Sequence, residues 1–275
     1  LKRIYTLLIL CFGVLGTFMA QGAVVNGINY KLKSANMTAE VSGYNCVKGA
    51  VEIPESIIVD EVSYKVTSIE TEAFSDCNEL TSITIGRNVT KIALHASKNC
   101  SAINSITIPN SVTLVWKYAF EGCSSLTKVN YLGTMDEWLK IGITIPTPFD
   151  LYLNGELLTN VKMSSSDNTF SNCKSIKSVE IGNSVTYIDK NAFSGCSGLT
   201  SVTWNIKNYQ GFVRASESPF YGFNVTSFTF GNAVESVPAY ICYGQEYLKE
   251  VTIGTNVISI GSYAFKNCFA LTSVI

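Results

Sequence analysis

"AFSDCNELTSITIGRN", residues 73–88, decides the fold. It carries Phe74, Cys77 and Leu80, then Ile83 and Ile85 alternating with Thr84. Much the same words return as "AFEGCSSLTKVNYLG" (119–133), "AFSGCSGLTSVTWN" (192–205) and "AFKNCFALTSVI" (264–275). Cys77, Cys100 and Cys123 are spaced by 23 residues, as are Cys173 and Cys196. Counting back by 23 from Cys268 reaches Gln245 and then Gly222, with Leu248 and Val225 in the leucine's place. Only the intervals Cys123–Cys173 (50) and Cys196–Gly222 (26) break the period. Self-similarity at a fixed period of this size marks a solenoid, so the fold is a stack of coils.

Each unit reads Leu-x-x-Ile-x-Ile-x-x-Asn from Leu80 to Asn88. The alternation Ile83-Thr84-Ile85 predicts a short strand with both isoleucines on the core side. It recurs at 106–108, 129–131, 179–181, 202–204, 228–230 and 251–253. A Gly/Pro/Asn/Ser turn follows, then a second β-prone arm such as Val66–Ile69 or Val185–Ile188. Ile69, Ala73, Phe74 and Cys77 fall on one stripe of a helical turn that returns the chain to the next coil. Each coil thus offers one apolar residue per corner and closes its core only by stacking. The repeated positions are packing positions, and the residues between them face water.

These motifs resemble the leucine-rich repeat signature, and the 23-residue form with "AFxxCxxLTSIxI" is similar to the BspA-like (Treponema-pallidum-type) family of bacterial surface proteins. The resemblance covers residues 51–275 and extends to the preceding "INYKLKSANMTAEVSGYN". It implies an α/β repeat: a right-handed leucine-rich repeat solenoid with a parallel β-sheet face and a short N-terminal β cap. It also implies adhesion to host surfaces or matrix proteins, or contact between bacterial cells.

The expected organisation is a signal peptide over 1–22, a cap segment over 23–64 and the solenoid over 65–275. The leader rests on Lys2 and Arg3, an apolar stretch, and Ala20-Gln21-Gly22 as a small-residue cleavage site. Secretion or display at the cell surface follows from it, and no later apolar run is long enough to span a bilayer. In the cap, Ile28–Leu32 and Thr38–Val41 alternate as strands covering the first coil. Residues 131–169 form a variant repeat. Thr134 and Glu137 make a capping box for a short helix, and Asn154-Gly155 marks a two-residue hairpin. The stretch "NIKNYQGFVRASESPF" (205–220) adds three residues without a recognisable motif. The chain stops at Ile275 mid-strand, which leads to the expectation of a C-terminal truncation.

Composition bounds the function. The chain is 47% hydrophobic and 15% charged, ample for a packed core. Its net charge of −1 gives no electrostatic footprint for nucleic acid or an anionic membrane. Nine cysteines and a single histidine form no CxxC or Cys/His set, so structural zinc is not expected. Disulfides between neighbouring coils are sterically open in an exported protein. Substitution of the cysteine by Gln245 and Gly222 favours free, buried thiols instead.

The chain carries no catalytic constellation. His95 stands beside no nucleophile, Asp136 and Glu137 suit a helix N-terminus, and "SGCSG" is the repeat's own turn. Neither a catalytic residue nor a cofactor or metal is expected, and the chain reads as a non-enzyme. A binding face is expected instead. The outward residue of each strand stacks into a column: Thr84, Thr107, Asn130, Glu180, Thr203, Thr229 and Thr252. Such a face suits an extended protein partner, with a glycan as the lesser option because the column lacks an aromatic platform. Trp138, in the variant repeat, is the secondary contact candidate. The competing functional reading is a spacer, or a glycan-binding arm of a larger surface protein or enzyme.

Overall fold

The computed structural model describes residues 21–46, 48–163 and 170–275, with the backbone alone for Gln21. The expected leader therefore lies outside the described residues except for its last two. Gln21 and Gly22 pair with Leu32 and Lys31 at the start of the cap. The molecule is a solenoid of about ten turns with parallel sheets and a spacing near 23 residues.

The strand arm forms two parallel sheets. The first joins Gly49–Ile53, Leu80–Ile85, Ser105–Pro109, Lys128–Leu132 and Asp150–Leu153, with Glu156–Leu157 closing it in antiparallel fashion. The second joins Asn160–Met163, Ser178–Ile181, Ser201–Trp204, Ser227–Phe230, Glu250–Ile253 and Ser273–Val274. Ile83, Ile106, Val129, Val179, Val202, Phe228 and Val251 are all buried, as the alternation requires. Each such side chain contributes about 1.5–3 kcal/mol by leaving water. The β-prone second arm is a strand at Val62–Ile69, Lys91–Ile92, Leu114–Val115, Ser236–Val237 and Ser259–Ile260. At Val185–Ile188 the chain stays irregular, although Val185 and Ile188 are buried all the same.

The "AF" segment departs from the expected helical turn. It is a run of tight turns in which the residue two after the phenylalanine position has positive φ and, in five of the coils, the residue two before it does as well. Around Phe74 these are Glu72 (59°) and Asp76 (62°), and around Phe120 they are Tyr118 (63°) and Gly122 (74°). A left-handed residue every fourth position stops an α-helix from propagating. It also turns alternate amides along the stack. The Phe74 N–H donates to the Ala96 carbonyl (2.7 Å) and the Asp76 N–H to that of Lys98 (2.8 Å). Neighbouring coils repeat this at Asn99 to Glu121 and at Cys242 to Ala264. The turn arm is therefore hydrogen-bonded from coil to coil, like the strand arm.

The same geometry explains the cysteines. The Cys100 thiol donates to the Phe74 carbonyl of the preceding coil (2.8 Å), Cys123 to Ser97 (3.1 Å), Cys196 to Phe170 (3.0 Å) and Cys268 to Cys242 (3.1 Å). Gln245 takes over the task, its Nε2 donating to the Phe220 carbonyl while its Oε1 accepts the Val225 N–H. The position calls for a buried side-chain donor that adds a second bond to a carbonyl already accepting a backbone N–H within its own turn. Burial pushes the Cys100 thiol up to about 11 and those of Cys123 and Cys196 to about 12. Gly222 does not fill the cysteine's place as the count implied. It takes the left-handed position (φ 81°) two residues after Phe220, as Gly195 does after Phe193.

Cys77 corrects the free-thiol expectation. It belongs to the first cysteine-bearing coil, with no earlier "AF" carbonyl to accept its proton, and forms a disulfide with Cys46 of the cap. Cys100, Cys123, Cys173, Cys196, Cys242 and Cys268 are free. The cap itself is Gln21–Val25, Ile28–Lys33 and Thr38–Tyr44, antiparallel, then parallel to Val62–Ile69. It covers the first coil as expected.

Candidate functional site

The outward column of the strand arm is in register. Glu52, Thr84, Thr107, Asn130 and Tyr152 follow one another across the first sheet. Lys162, Glu180, Thr203, Thr229 and Thr252 do so across the second. Every expected residue lies on this face, but the structure divides it. The hairpin at Asn154-Gly155 (φ 52° and 87°) turns Glu156–Leu157 back against Tyr152–Leu153, so the two ladders do not join. Tyr152 and Lys162 escaped the sequence count because the 50-residue interval has no cysteine to align them. The alternating "LYL" and "VKM" are the signal that would have found them.

The column residues differ in what they are free to do. The Asn130 Oδ1 accepts the Gly155 N–H (2.9 Å), so this side chain anchors the hairpin. Glu180 pairs with Lys162 at 2.8 Å. Among the described residues, the hydroxyls of Thr84, Thr107, Thr203, Thr229 and Thr252 take no hydrogen-bond partner. Thr107, Thr203, Thr229 and Thr252 stand half-buried and Thr84 exposed, above a buried floor. Tyr152 lies under the Lys128 ammonium, 4.6 Å from its ring centre. The face thus offers hydroxyl donors and acceptors, one aromatic ring at the division and little net charge.

Trp138 is not offered at the surface. The capping box forms as expected: Thr134 accepts the Glu137 N–H (3.3 Å), and the Thr134 N–H donates to Glu137 (2.8 Å). The Thr134 N–H and hydroxyl both donate to the Glu137 carboxylate and hold it below its ordinary pKa. The short helix Met135–Trp138 so fixed points the indole inward, 5.7 Å from Tyr131 and 6.4 Å from Phe149. Trp138 fills the wider interior of the variant coil and is buried. His95 meets Glu121 at 3.3 Å and Tyr118 at 5.9 Å between ring centres. Among the described residues no group of three or more His, Cys, Asp or Glu side chains is placed to hold a metal ion. No helix among them is long and apolar enough to cross a membrane.

The family profile described as "BspA type Leucine rich repeat region" matches in six copies over residues 51–138 and 163–275. The gap between the two spans falls on the variant coil and its hairpin. No curated protein matches the chain. Among solved structures, it is similar to a leucine-rich repeat protein from Bacteroides ovatus at 23% identity, with 91% of this chain and 81% of that one covered and a TM-score of 0.46. A leucine-rich cell surface protein from Faecalibacterium prausnitzii matches at 21% identity, with 94% and 77% covered and a TM-score of 0.45. The leucine-rich repeat protein of T. pallidum matches at 21% identity, with 92% and 91% covered and a TM-score of 0.37. With six copies of its repeat covering most of the length, the chain belongs to the BspA-type leucine-rich repeat family.

Proposed function

We propose that the protein is an exported, non-catalytic binder that acts at the bacterial surface and engages an extended protein segment through its strand face. The observation that carries this is the in-register ladder of unpartnered threonine hydroxyls over a rigid, buried floor. An extended chain laid across the strands would meet these hydroxyls at the coil spacing, roughly 4.8 Å, and many modest contacts would sum to affinity. Export is supported by the leader-like sequence over 1–22 and by the Cys46–Cys77 disulfide, a bond that persists in oxidising compartments. The resemblance to bacterial surface proteins supports adhesion to matrix proteins or to other cells.

The test is a binding screen of the protein against immobilised matrix proteins, with Thr107→Lys, Thr203→Lys and Thr229→Lys combined in one variant. Saturable binding that the variant loses, with the fold intact by circular dichroism, is the expected result. Equal binding by the variant would remove the strand face from the mechanism. Because the face is nearly neutral, binding should survive high salt.

A further inference from the structure

The aromatic rings that are scarce on the strand face stand on the turn arm. Tyr221, Tyr240 and Tyr263 come from three successive coils, and with Tyr243, Arg214 and Lys266 they line one open depression. The Tyr240 and Tyr263 ring centres are 5.2 Å apart, and those of Tyr240 and Tyr243 5.9 Å. Lys266 Nζ sits 5.0 Å from the Tyr263 ring centre. Tyr221 and Tyr263 are 51% and 52% exposed, while Tyr240 is half-buried with one side against the core. Three coils span on the order of 10 Å, about the length of a disaccharide.

Two features shape this floor. The first is backbone conformation. Tyr240 and Tyr263 both sit at φ 59°, a left-handed region that bulky residues occupy only at a cost. The other left-handed position of the same coils holds Gly244 and Asn267, the residue types that tolerate it. Backbone preference does not call for tyrosine here; Tyr240 packs one side against the core, whereas Tyr263 presents exposed stacking surface. The second is the 26-residue interval. Its extra residues form a short 3-10 turn, Ala215–Glu217, at the rim of the depression. The Arg214 Nε donates to Glu217 Oε1 (2.8 Å), and Glu217 Oε2 accepts the Val213 N–H (3.1 Å). Glu217 itself lines a neighbouring hollow, and no carboxylate lines this one.

The geometry points to a binding site for an acidic glycan, separate from the strand face. Sugar C–H faces stack on Tyr240 and Tyr263, as aromatic rings with polar tips allow. The phenol hydroxyls meet sugar hydroxyls, and Lys266 with Arg214 receives a carboxylate or sulfate. A cationic ligand would be repelled by the Lys266 ammonium.

The experiment titrates the protein by calorimetry with oligogalacturonate, with a heparin-derived oligosaccharide and with a neutral cello-oligosaccharide. The protein should bind one or both acidic oligomers saturably and the neutral one not at all; which of the two it takes distinguishes carboxylate from sulfate. Tyr240→Asn with Tyr263→Asn removes the rings while suiting the left-handed backbone, so the fold is kept. This pair should weaken binding by about tenfold or more. Lys266→Gln should weaken it less, and the triple threonine variant should leave it unchanged. No saturable binding of either acidic oligomer, equal binding of the neutral one, or unchanged affinity in the double tyrosine variant would overturn the site.

Discussion

The two arms of each coil solve the same problem with different residues. Both are hydrogen-bonded to the coils above and below. On the strand arm the backbone is extended and tolerant, so threonine and serine fill the outward positions in line with ordinary β preference. On the turn arm the backbone visits the left-handed region twice in five of the coils. One visit is made by residues that accept it, such as Asp76, Asn99, Gly122 and Asn267; the other is made by Glu72, His95, Tyr118, Tyr240 and Tyr263. A residue that agrees with its backbone says little about function. One that opposes it without being buried directs attention to what its side chain meets outside.

The sharpest way to break the stacking account is to open the core. Phe193 is buried between Phe170 (6.1 Å) and Phe220 (5.6 Å), both rings stacked on it. Phe193→Ala should cost about 3–5 kcal/mol, read as a lowered urea midpoint. Because each coil contacts only its neighbours, hydrogen exchange should rise in the coils around residue 193 before it rises in the cap. Next in size is the bridge that ties cap to coil. Cys46→Ser with Cys77→Ser should cost about 2–4 kcal/mol, with exchange increased over residues 28–69 and little changed beyond Cys173.

A smaller effect separates packing from hydrogen bonding on the turn arm. Gln245→Ala leaves the Val225 N–H buried without a partner and the Phe220 carbonyl with only the Phe223 N–H, and should cost about 1–3 kcal/mol. Gln245→Cys should recover part of this, because a thiol there can donate to the carbonyl. Equal losses in the two variants would mean that the cysteine position is only about volume. The smallest effect has the opposite sign: Tyr263→Asn relieves the left-handed backbone and should raise stability by about 0.5–1 kcal/mol. A loss there would show that the ring stabilises the fold.

Much of the molecule was legible because hydrophobic period and stacking are the same constraint. The strand trios, the alternating cap strands, the Thr134–Glu137 box and the Asn154-Gly155 hairpin all stand where local chemistry placed them. What was not legible depends on contacts between coils or on single backbone angles. The Cys46–Cys77 pair has no spacing motif. The left-handed turns leave no period, since tyrosine and histidine do not announce them. Trp138 could be read as exposed because its helix face is set by packing against Tyr131 and Phe149. The column residues were found, but its division was not, because Tyr152 and Lys162 lie in the interval without a cysteine. Arg214 and the four tyrosines are scattered in sequence and meet only when the coils stack.

The threonine ladder is the proposed protein-binding surface. Its most direct test is surface plasmon resonance of the protein against a matrix partner recovered from the screen, beside the variant carrying lysine at Thr107, Thr203 and Thr229. The account predicts saturable binding, little altered by salt, that the variant loses while its thermal midpoint holds. Undiminished binding by a well-folded variant would contradict it.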